Sequence, residues 1–489
     1  MTVATRWLDG AAWAGHIFDG EWVAGGGGER AVVEPATGDE LGRIGLASPA
    51  DVAAVAARAS AAQRAWGAAS YQDRAAVLRR AGDLWQQHAE EIQGWLVRET
   101  GAIPPKAQLE TWFAASVCHD AAGLTSLPLG DLLPTNAPHL SMTRRVPIGV
   151  VGVISPFNFP LILSIRAVAP ALALGNAVIL KPDPRTSVAG GVVLARIFEE
   201  AGVPAGVFSL LPGGTDVGEA LVADSTVGLI SFTGSTRAGR AVAGLAAQHL
   251  KRVHLELGGN SALIVLDDVD VDKAVSVGAF GSFNFQGQIC MTTGRHLVHS
   301  RIAERYVDTL AAHAHQLPVG DPARDQVALG PIIDAHQRDR VHDLVTSSVA
   351  AGARLVEGGT YSGLFYRPTV LADVPLDAPA YREEVFGPVA PVVAFDTIDE
   401  AVRLAGDTPY GLALGILTSD VMRAMEIADR IPTGIIHIND QTIGDEVVNP
   451  FGGVKETGGA RLGGARANLD TFTTTQWVTM RSTLPDYPF

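Results

Sequence analysis

Three segments of this 489-residue chain carry side chains that together could form and break a thioester. In Phe283-Asn284-Phe285-Gln286-Gly287-Gln288-Ile289-Cys290 a cysteine follows a glycine turn and an apolar run. A thiol acts as a nucleophile when it is reduced, reachable, and has its thiolate stabilised by N–H groups or positive charge. In Leu255-Glu256-Leu257-Gly258-Gly259-Asn260 a carboxylate stands between leucines, where lost hydration raises its pKa toward that of a general base. In Pro156-Phe157-Asn158-Phe159-Pro160 an amide donor sits in a stiff, proline-bounded turn. Each also has a plainer reading: a lone cysteine is commonly a small buried hydrophobe, and Glu256 alone reads as an ion-paired carboxylate. Cys118, the second of two cysteines, has no such surroundings and reads as core or surface.

The elements that must position these groups follow a regular alternation. Ala-rich stretches at Val52–Trp66, Ala75–Thr100 and Ala189–Glu200 carry apolar residues at helical spacing. Between them lie short branched runs that read as buried strands: Gly149–Ile154, Ala177–Leu180, Val207–Leu211 and Gly228–Ser231. The second half repeats the habit with Ala262–Leu266, His296–His299, Val392–Phe395 and Gly434–Asn439. Helix alternating with apolar strand implies α/β units with parallel sheets, two of them in succession. Gly25-Gly26-Gly27-Gly28 reads as a turn between early strands. Leu127–Arg145 and Leu469–Arg481 read as two exposed extended segments, and an exposed strand edge calls for a partner, hence self-association.

Composition narrows the function. The length suits about three domains, and 47% apolar with 18% charged residues is ordinary for a folded protein. A net charge of −15 with no basic run argues against nucleic acid, whose phosphates demand clustered Lys and Arg. Met1-Thr2-Val3-Ala4-Thr5-Arg6-Trp7 lacks the pattern of a secretory start, and the apolar runs are too short to span a bilayer. Two cysteines make no disulfide framework, so the expectation is a cytoplasmic protein without membrane partners. The histidines include no H-E-x-x-H and no Cys/His cluster at ligand spacing, so no metal is expected, and His437 reads as structural or pocket-lining.

Two glycine clusters, Pro212-Gly213-Gly214-Thr215-Asp216-Val217-Gly218 and Gly234-Ser235-Thr236-Arg237-Ala238-Gly239, precede helix-like stretches. Neither spells G-x-G-x-x-G, yet glycine at a strand-to-helix turn lets backbone approach a ligand whose phosphate suits the helix N-terminus. Lys181 ends a strand candidate, where ligands collect in open parallel sheets.

The order and wording of seven segments resemble the aldehyde dehydrogenase superfamily over nearly the whole chain. They are Pro156–Pro160, Leu180-Lys181-Pro182, Phe232-Thr233-Gly234-Ser235, Leu255–Gly259, Gln286–Cys290, Glu383-Glu384-Val385-Phe386-Gly387-Pro388 and Pro450-Phe451-Gly452-Gly453-Val454-Lys455. Lys181–Thr186 and His437–Thr442 look most like the benzaldehyde and vanillin dehydrogenase branch. The resemblance implies two Rossmann-type α/β domains and a small β oligomerisation domain. The boundaries are a dinucleotide-binding domain at 1–124 and 147–257, a catalytic domain at 258–464, and the oligomerisation domain at 125–146 and 465–489. It implies a homodimer or homotetramer. It also implies an NAD- or NADP-dependent oxidation in which Cys290 captures the aldehyde, Asn158 and the Cys290 N–H stabilise the oxyanion, and Glu256 activates water on the thioester. Gly234 and Ser235 match the pyrophosphate turn, Lys181 the adenosine ribose contact, Glu384 the nicotinamide ribose contact, and Phe386 the ring beside the nicotinamide. Ile154, Ser155, Pro156, Phe157, Pro182, Asp183, Pro184, Arg185, Gly214, Gly218, Phe232, Thr233, Leu257 and Gly258 complete the expected cofactor site. Where the family often has a glutamate that repels a 2′-phosphate, this chain has Pro184 followed by Arg185, so use of both dinucleotides is expected.

For the substrate, Phe159, Ile162, Leu163, Arg166, Asn284, Ile289, Met291 and Phe451 are the expected pocket residues. Apolar and aromatic walls suit a flat ring. Arg166 has three readings: a hydrogen bond to a ring substituent, a pair with a substrate carboxylate, or a structural ion pair. The first favours an aromatic aldehyde and the second an ω-semialdehyde. A thiol acyl-transferase or amidase would use the same thiol, base and amide but leave Lys181, Gly234-Ser235 and Glu384 without a task, and a non-catalytic descendant of the fold would have no need of Cys290 or Glu256.

Overall fold

The computed structural model describes residues 7–489, so the first six residues, on which much of the expected absence of a secretory start rests, lie outside it. The early glycine run is a turn between strands Trp22–Ala24 and Glu29–Val33. The first helix of the α/β core, Pro49–Ala68, starts at Ser48, where Ser48 and Asp51 form a reciprocal capping box. The expected helix Ala75–Thr100 is two helices, Tyr71–Gln87 and Ala89–Thr100. His88 leaves helical geometry between them (φ −101°), stacks on Trp7 at 4.1 Å and bonds Glu200 at 3.1 Å. Apolar periodicity runs through this break because both helices face one core. The expected Ala189–Glu200 helix opens with a wide π turn, Val188–Val192, because the buried Glu99 carboxylate accepts the N–H groups of Val188 and Ala189.

The first seven-stranded sheet runs in the order Arg252–Glu256, Val227–Thr233, Val150–Ile154, Ala177–Lys181, Phe208–Leu210, His16–Phe18, Trp22–Ala24. Its first five strands are parallel and its last two form an antiparallel hairpin. Val150–Ile154 sits between Ala177–Lys181 and Val227–Thr233, so the chain leaves it to one side and returns on the other. That reversal is a topological switch point, and a crevice opens outside the strand ends there. The second sheet runs Arg354–Glu357, Thr369–Ala372, Val389–Phe395, Thr293–His299, Ser261–Val265, Ala413–Leu417, Ile435–Ile438. All neighbours in it are parallel except Arg354–Glu357. The strand carrying Glu256 and the central strand Ala413–Leu417 were not anticipated. Arg-Val-His-Leu-Glu lacks an apolar run, and Ala-Leu-Gly-Ile-Leu holds a single β-branched residue.

Leu140–Pro147 pairs antiparallel with Thr473–Met480 through eight residue pairs, away from both large sheets. The extended segments are shorter than expected: Leu469–Phe472 instead ends the helix Ala465–Phe472. Among the described residues no helix is long and apolar enough to cross a membrane.

Candidate active site

The helix Val271–Phe283 ends at Asn284, and the chain then takes three left-handed residues, Phe285 (φ 47°), Gln286 (φ 55°) and Gly287 (φ 65°). Side chains in that region are strained, and such a run persists only when its surroundings fix it. Here they do. Phe285 is fully buried against Phe159, with ring centres 5.6 Å apart. Gln286 Nε2 donates to the carbonyls of Gly101 and Pro331 at 3.1 and 2.8 Å. A side chain at Gly287 would stand 2.1 Å from the Gly387 carbonyl. Downstream, Ser282 Oγ donates to Thr293 O and Thr442 Oγ1 to Met291 O. The loop so pinned presents Cys290 half-buried, whereas Cys118 is sealed in the core, its thiol pushed up to about 12 by burial. Burial also raises the Cys290 thiol, Glu384, Glu256 and Asp445 add to the rise, and Arg166 opposes it.

Asn158 Nδ2 donates to Gln288 O at 2.9 Å, which ties the expected oxyanion donor to the nucleophile loop. Its carbonyl accepts from Lys106 Nζ at 2.7 Å. Lys106 is buried, pairs with Glu110, and lies 3.9 and 4.4 Å from the ring centres of Phe285 and Phe159. Glu110 in turn accepts from Leu161 N at 3.1 Å in the first turn of helix Pro160–Ala173. Sequence reading missed this pair, although a Lys and a Glu four residues apart in an apolar helix was the available signal.

Glu256 closes the strand Arg252–Glu256, and both its carboxylate oxygens are buried without a hydrogen-bond partner in the protein. Burial raises its pKa well above the ordinary carboxylate value, with Arg166 and Arg461 opposing and Asp445 reinforcing. His254 Nε2 is 3.6 Å from Oε1, and burial keeps that imidazole neutral, its pKa near 3. Gly452 packs against the base: a Cβ there would lie 2.7 Å from Glu256 Oε1. A buried, unpartnered carboxylate of raised pKa suits proton abstraction.

The apolar cluster around Cys290 contains Phe285, Ile289, Met291, Leu412 and Phe451, with Phe159, Ile435 and Ile443 packed on it. Four of the expected substrate residues (Phe159, Ile289, Met291 and Phe451) meet there. Ile162 instead packs in the core of the first α/β unit, Leu163 is half-buried, and Asn284 is the half-buried helix cap. Arg166 takes the third of its readings. It pairs with Asp445 and lies 4.4 Å from the Phe451 ring and 5.2 Å from the Phe113 ring. Its Nη1 is buried and has no partner in the protein.

Most of the expected cofactor residues lie at strand ends of the first sheet or on the turns and helix starts that follow them. Lys181 is buried, and its ammonium donates to Pro182 O at 3.5 Å. Its stem packs over Gly218, where a Cβ would sit 3.6 Å from Cδ, beside Ile154. Burial lowers its pKa while Asp183 and Asp216 raise it. A buried ammonium without a bonded carboxylate fits a polar ligand such as a ribose. Ser235 caps the helix Thr236–Gln248, behind the Phe232-Thr233-Gly234 strand end, and Gly214 begins the helix Thr215–Ala223. Ser155 is engaged internally, accepting from Ser164 Oγ at 2.7 Å, between Ile154 and Pro156. Leu257 N donates to Thr457 O, and a side chain at Gly258 would stand 2.3 Å from Glu384 Oε2. Glu384 accepts from Gly259 N at 3.1 Å, its pKa raised to about 7 by burial. The Phe386 ring meets Phe157 at 5.9 Å, and Gln337, also missed, donates to the Phe386 carbonyl at 2.9 Å. Asp183, Pro184 and Arg185 form the loop after Lys181-Pro182. A buried ammonium at a strand end and a serine-capped helix start fit a dinucleotide. No group of three or more metal-ligating side chains is found among the described residues.

The profile of the aldehyde dehydrogenase family matches residues 22–478. The chain belongs to the aldehyde dehydrogenase family. Among its relatives, a vanillin dehydrogenase of Amycolatopsis sp. is 65% identical over 99% of both chains. A benzaldehyde dehydrogenase [NAD(+)] of Pseudomonas putida is 49% identical over 98% of both. The crystal structure of a salicylaldehyde dehydrogenase from Pseudomonas putida G7, complexed with salicylaldehyde, superposes with a TM-score of 0.94 at 34% identity, covering 97% of this chain and 99% of that one. As an aldehyde dehydrogenase, the chain has the mixed α/β fold of two parallel-sheet units seen above.

Proposed function

We propose that the enzyme oxidises aromatic aldehydes of the benzaldehyde and vanillin type to carboxylic acids with NAD or NADP. The observation that carries this is the aromatic, apolar cluster packed around Cys290, beside which Arg166 is paired with Asp445. The names of the vanillin and benzaldehyde dehydrogenases to which the chain is similar point the same way.

In this reading the Cys290 sulfur attacks the aldehyde carbon. Its proton passes to solvent water, and Glu256, whose burial raises its pKa, is kept for the thioester step. The Asn158 amide and the Cys290 N–H meet the oxyanion, donors worth about 3–4 kcal/mol each when aimed at the developing charge. Lys181, Ser235 and Glu384 would hold the dinucleotide, which would serve as the hydride acceptor. The remaining thioester is opened by water deprotonated by Glu256. Rings of Phe159, Phe285 and Phe451 hold the aromatic aldehyde and exclude bulk water. The loop after Lys181 has no carboxylate at Pro184, so a 2′-phosphate is admitted. The division into dinucleotide, catalytic and oligomerisation domains, with a homodimer or homotetramer, belongs to the same proposal. It is supported by the separate ribbon Leu140–Pro147/Thr473–Met480, on which Trp477 is 70% exposed.

A kinetic panel tests the reading: benzaldehyde, vanillin, a linear aliphatic aldehyde and succinate semialdehyde, followed by absorbance of the reduced dinucleotide. Aromatic substrates should lead in kcat/KM. The semialdehyde reading would have a substrate carboxylate meet Arg166 Nη1, which has no partner in the protein, and preference for succinate semialdehyde would sink the aromatic one.

A further inference from the structure

One cation on the cofactor face is held in a way its sequence neighbours do not reveal. Arg185 Nε and Nη2 donate to the two oxygens of Asp183 at 2.9 and 2.8 Å. Nη1 donates to Asp334 Oδ2 at 2.7 Å, and the guanidinium carbon stands 4.2 Å from the Phe157 ring centre. Asp183 and Arg185 follow the strand Ala177–Lys181 of the first sheet. Asp334 is the N-cap of helix Ala335–Ala350, whose Val341, Leu344 and Val345 pack in the core of the second α/β unit. The contact therefore bridges the two units.

We propose that Arg185 is a clasp across the cofactor cleft that sets dinucleotide selectivity: it stays on Asp334 beside a 2′-hydroxyl and must leave Asp334 to receive a 2′-phosphate. This rests on the dinucleotide site proposed above. The charges favour that direction. Lys181 and Arg185 face three carboxylates, Asp183, Asp216 and Asp334, so the loop region carries no spare cation for a phosphate. Three of the guanidinium's donors are already committed to carboxylates, and bidentate pairs are the stronger kind. NAD, which asks nothing of Arg185, is the favoured dinucleotide, and NADP binds against the clasp.

The clasp also reaches the nucleophile. Ile333, next to Asp334, donates its N–H to Gln288 Oε1 at 3.1 Å, and Gln288 O receives the Asn158 amide. Opening the clasp loosens a segment bonded to the Cys290 loop, so selectivity acts on more than the ribose.

The test is equilibrium binding of NAD and of NADP, each without aldehyde, by quenching of tryptophan fluorescence. Asp334→Asn removes the charge but keeps the cap, because Oδ1 accepts from Gln337 N at 2.8 Å and asparagine caps as well as aspartate. It should tighten NADP by about five- to tenfold, the scale of one partly exposed charge, with NAD changed less than about twofold. Asp334→Ser, another capping residue, should shift the ratio the same way. Adding Arg185→Gln to Asp334→Asn should abolish the gain, since the freed guanidinium provides it. An unchanged NADP/NAD ratio in both Asp334 variants, or a gain that survives loss of Arg185, overturns the clasp. Failure of the wild-type protein to bind either dinucleotide overturns the site as well, which separates the two failures.

Discussion

The cofactor wall of the cleft and its aldehyde wall handle charge in opposite ways. On the cofactor wall Lys181 ends a strand, Asp183, Arg185 and Glu384 are supplied by loops, and Arg185 is shared between two carboxylates from different units. On the aldehyde wall the charges are just as numerous, but Lys106 lies over two phenyl rings and Arg166 over two more, each with its own carboxylate. One wall leaves charge at strand ends and loops, where the proposed reading places a polar ligand. The other uses buried pairs to hold aromatic side chains and loops in place, so that the surface around Cys290 stays apolar. The contrast explains how an apolar pocket and a polar crevice share a border at Asn158 and Gly259.

The sharpest break between the walls comes from Cys290→Ala. Turnover should fall by about 10⁴-fold or more, the scale of losing a nucleophile, while dinucleotide affinity stays close to wild type by fluorescence titration. Equal loss of both would mean the walls are not separable. Next, Glu256→Gln should give a stoichiometric burst of reduced dinucleotide and then a steady rate reduced by about 10²–10⁴. In the wild type, the protonated Glu256 cannot take a proton from water, so kcat should fall as pH drops through a midpoint well above the ordinary carboxylate range. That acid limb should vanish in Glu256→Gln. If the burst vanishes too, Glu256 also draws the thiol proton.

Lys106→Met tests whether a buried pair supports the aldehyde wall. It leaves Glu110 charged and fully buried, which typically costs about 3–5 kcal/mol of folding stability. Lys106→Met with Glu110→Gln should recover most of that in chemical denaturation, yet leave kcat low because the Asn158 carbonyl has lost its ammonium. Full recovery of kcat would show that the pair matters to folding alone. The smallest effect belongs to Arg166→Met. Arg166 is the strongest influence lowering the Glu256 pKa, so its removal should move the acid limb of kcat to higher pH. A shift to lower pH would place Arg166 and Glu256 out of electrical contact.

Much of the catalytic constellation was legible because its residues sit in short, distinctive segments. Cys290, Glu256 and Asn158 are each ambiguous alone and became candidates through the order of the seven segments, while the strand-helix alternation around them pointed to the α/β class. What stayed hidden is carried by pairs far apart in the chain: Arg166 with Asp445, 279 residues on, and Arg185 with Asp334, 149 residues on. No local pattern announces such partners. The free Arg185 expected beside a 2′-phosphate was therefore read without the carboxylate that occupies it. The division of the long helix at His88 was equally invisible, since its cause is a stack with Trp7 and a bond to Glu200.

The return of residues 457–480 to the first sheet has a consequence for synthesis on the ribosome. By the time residue 256 has emerged, all seven strands of that sheet exist. Even so, Leu257 still lacks Thr457, Asn176 lacks the Phe472 carbonyl, and Arg252 lacks the carbonyls of Asp470, Thr471 and Thr473. The second sheet must be translated in full before any of these can form. The first unit thus waits, partly made, through the synthesis of the second, with Leu140–Pro147 as an unpaired edge. That interval is when a nascent chain is most exposed to aggregation, and the late helix and strand are what end it.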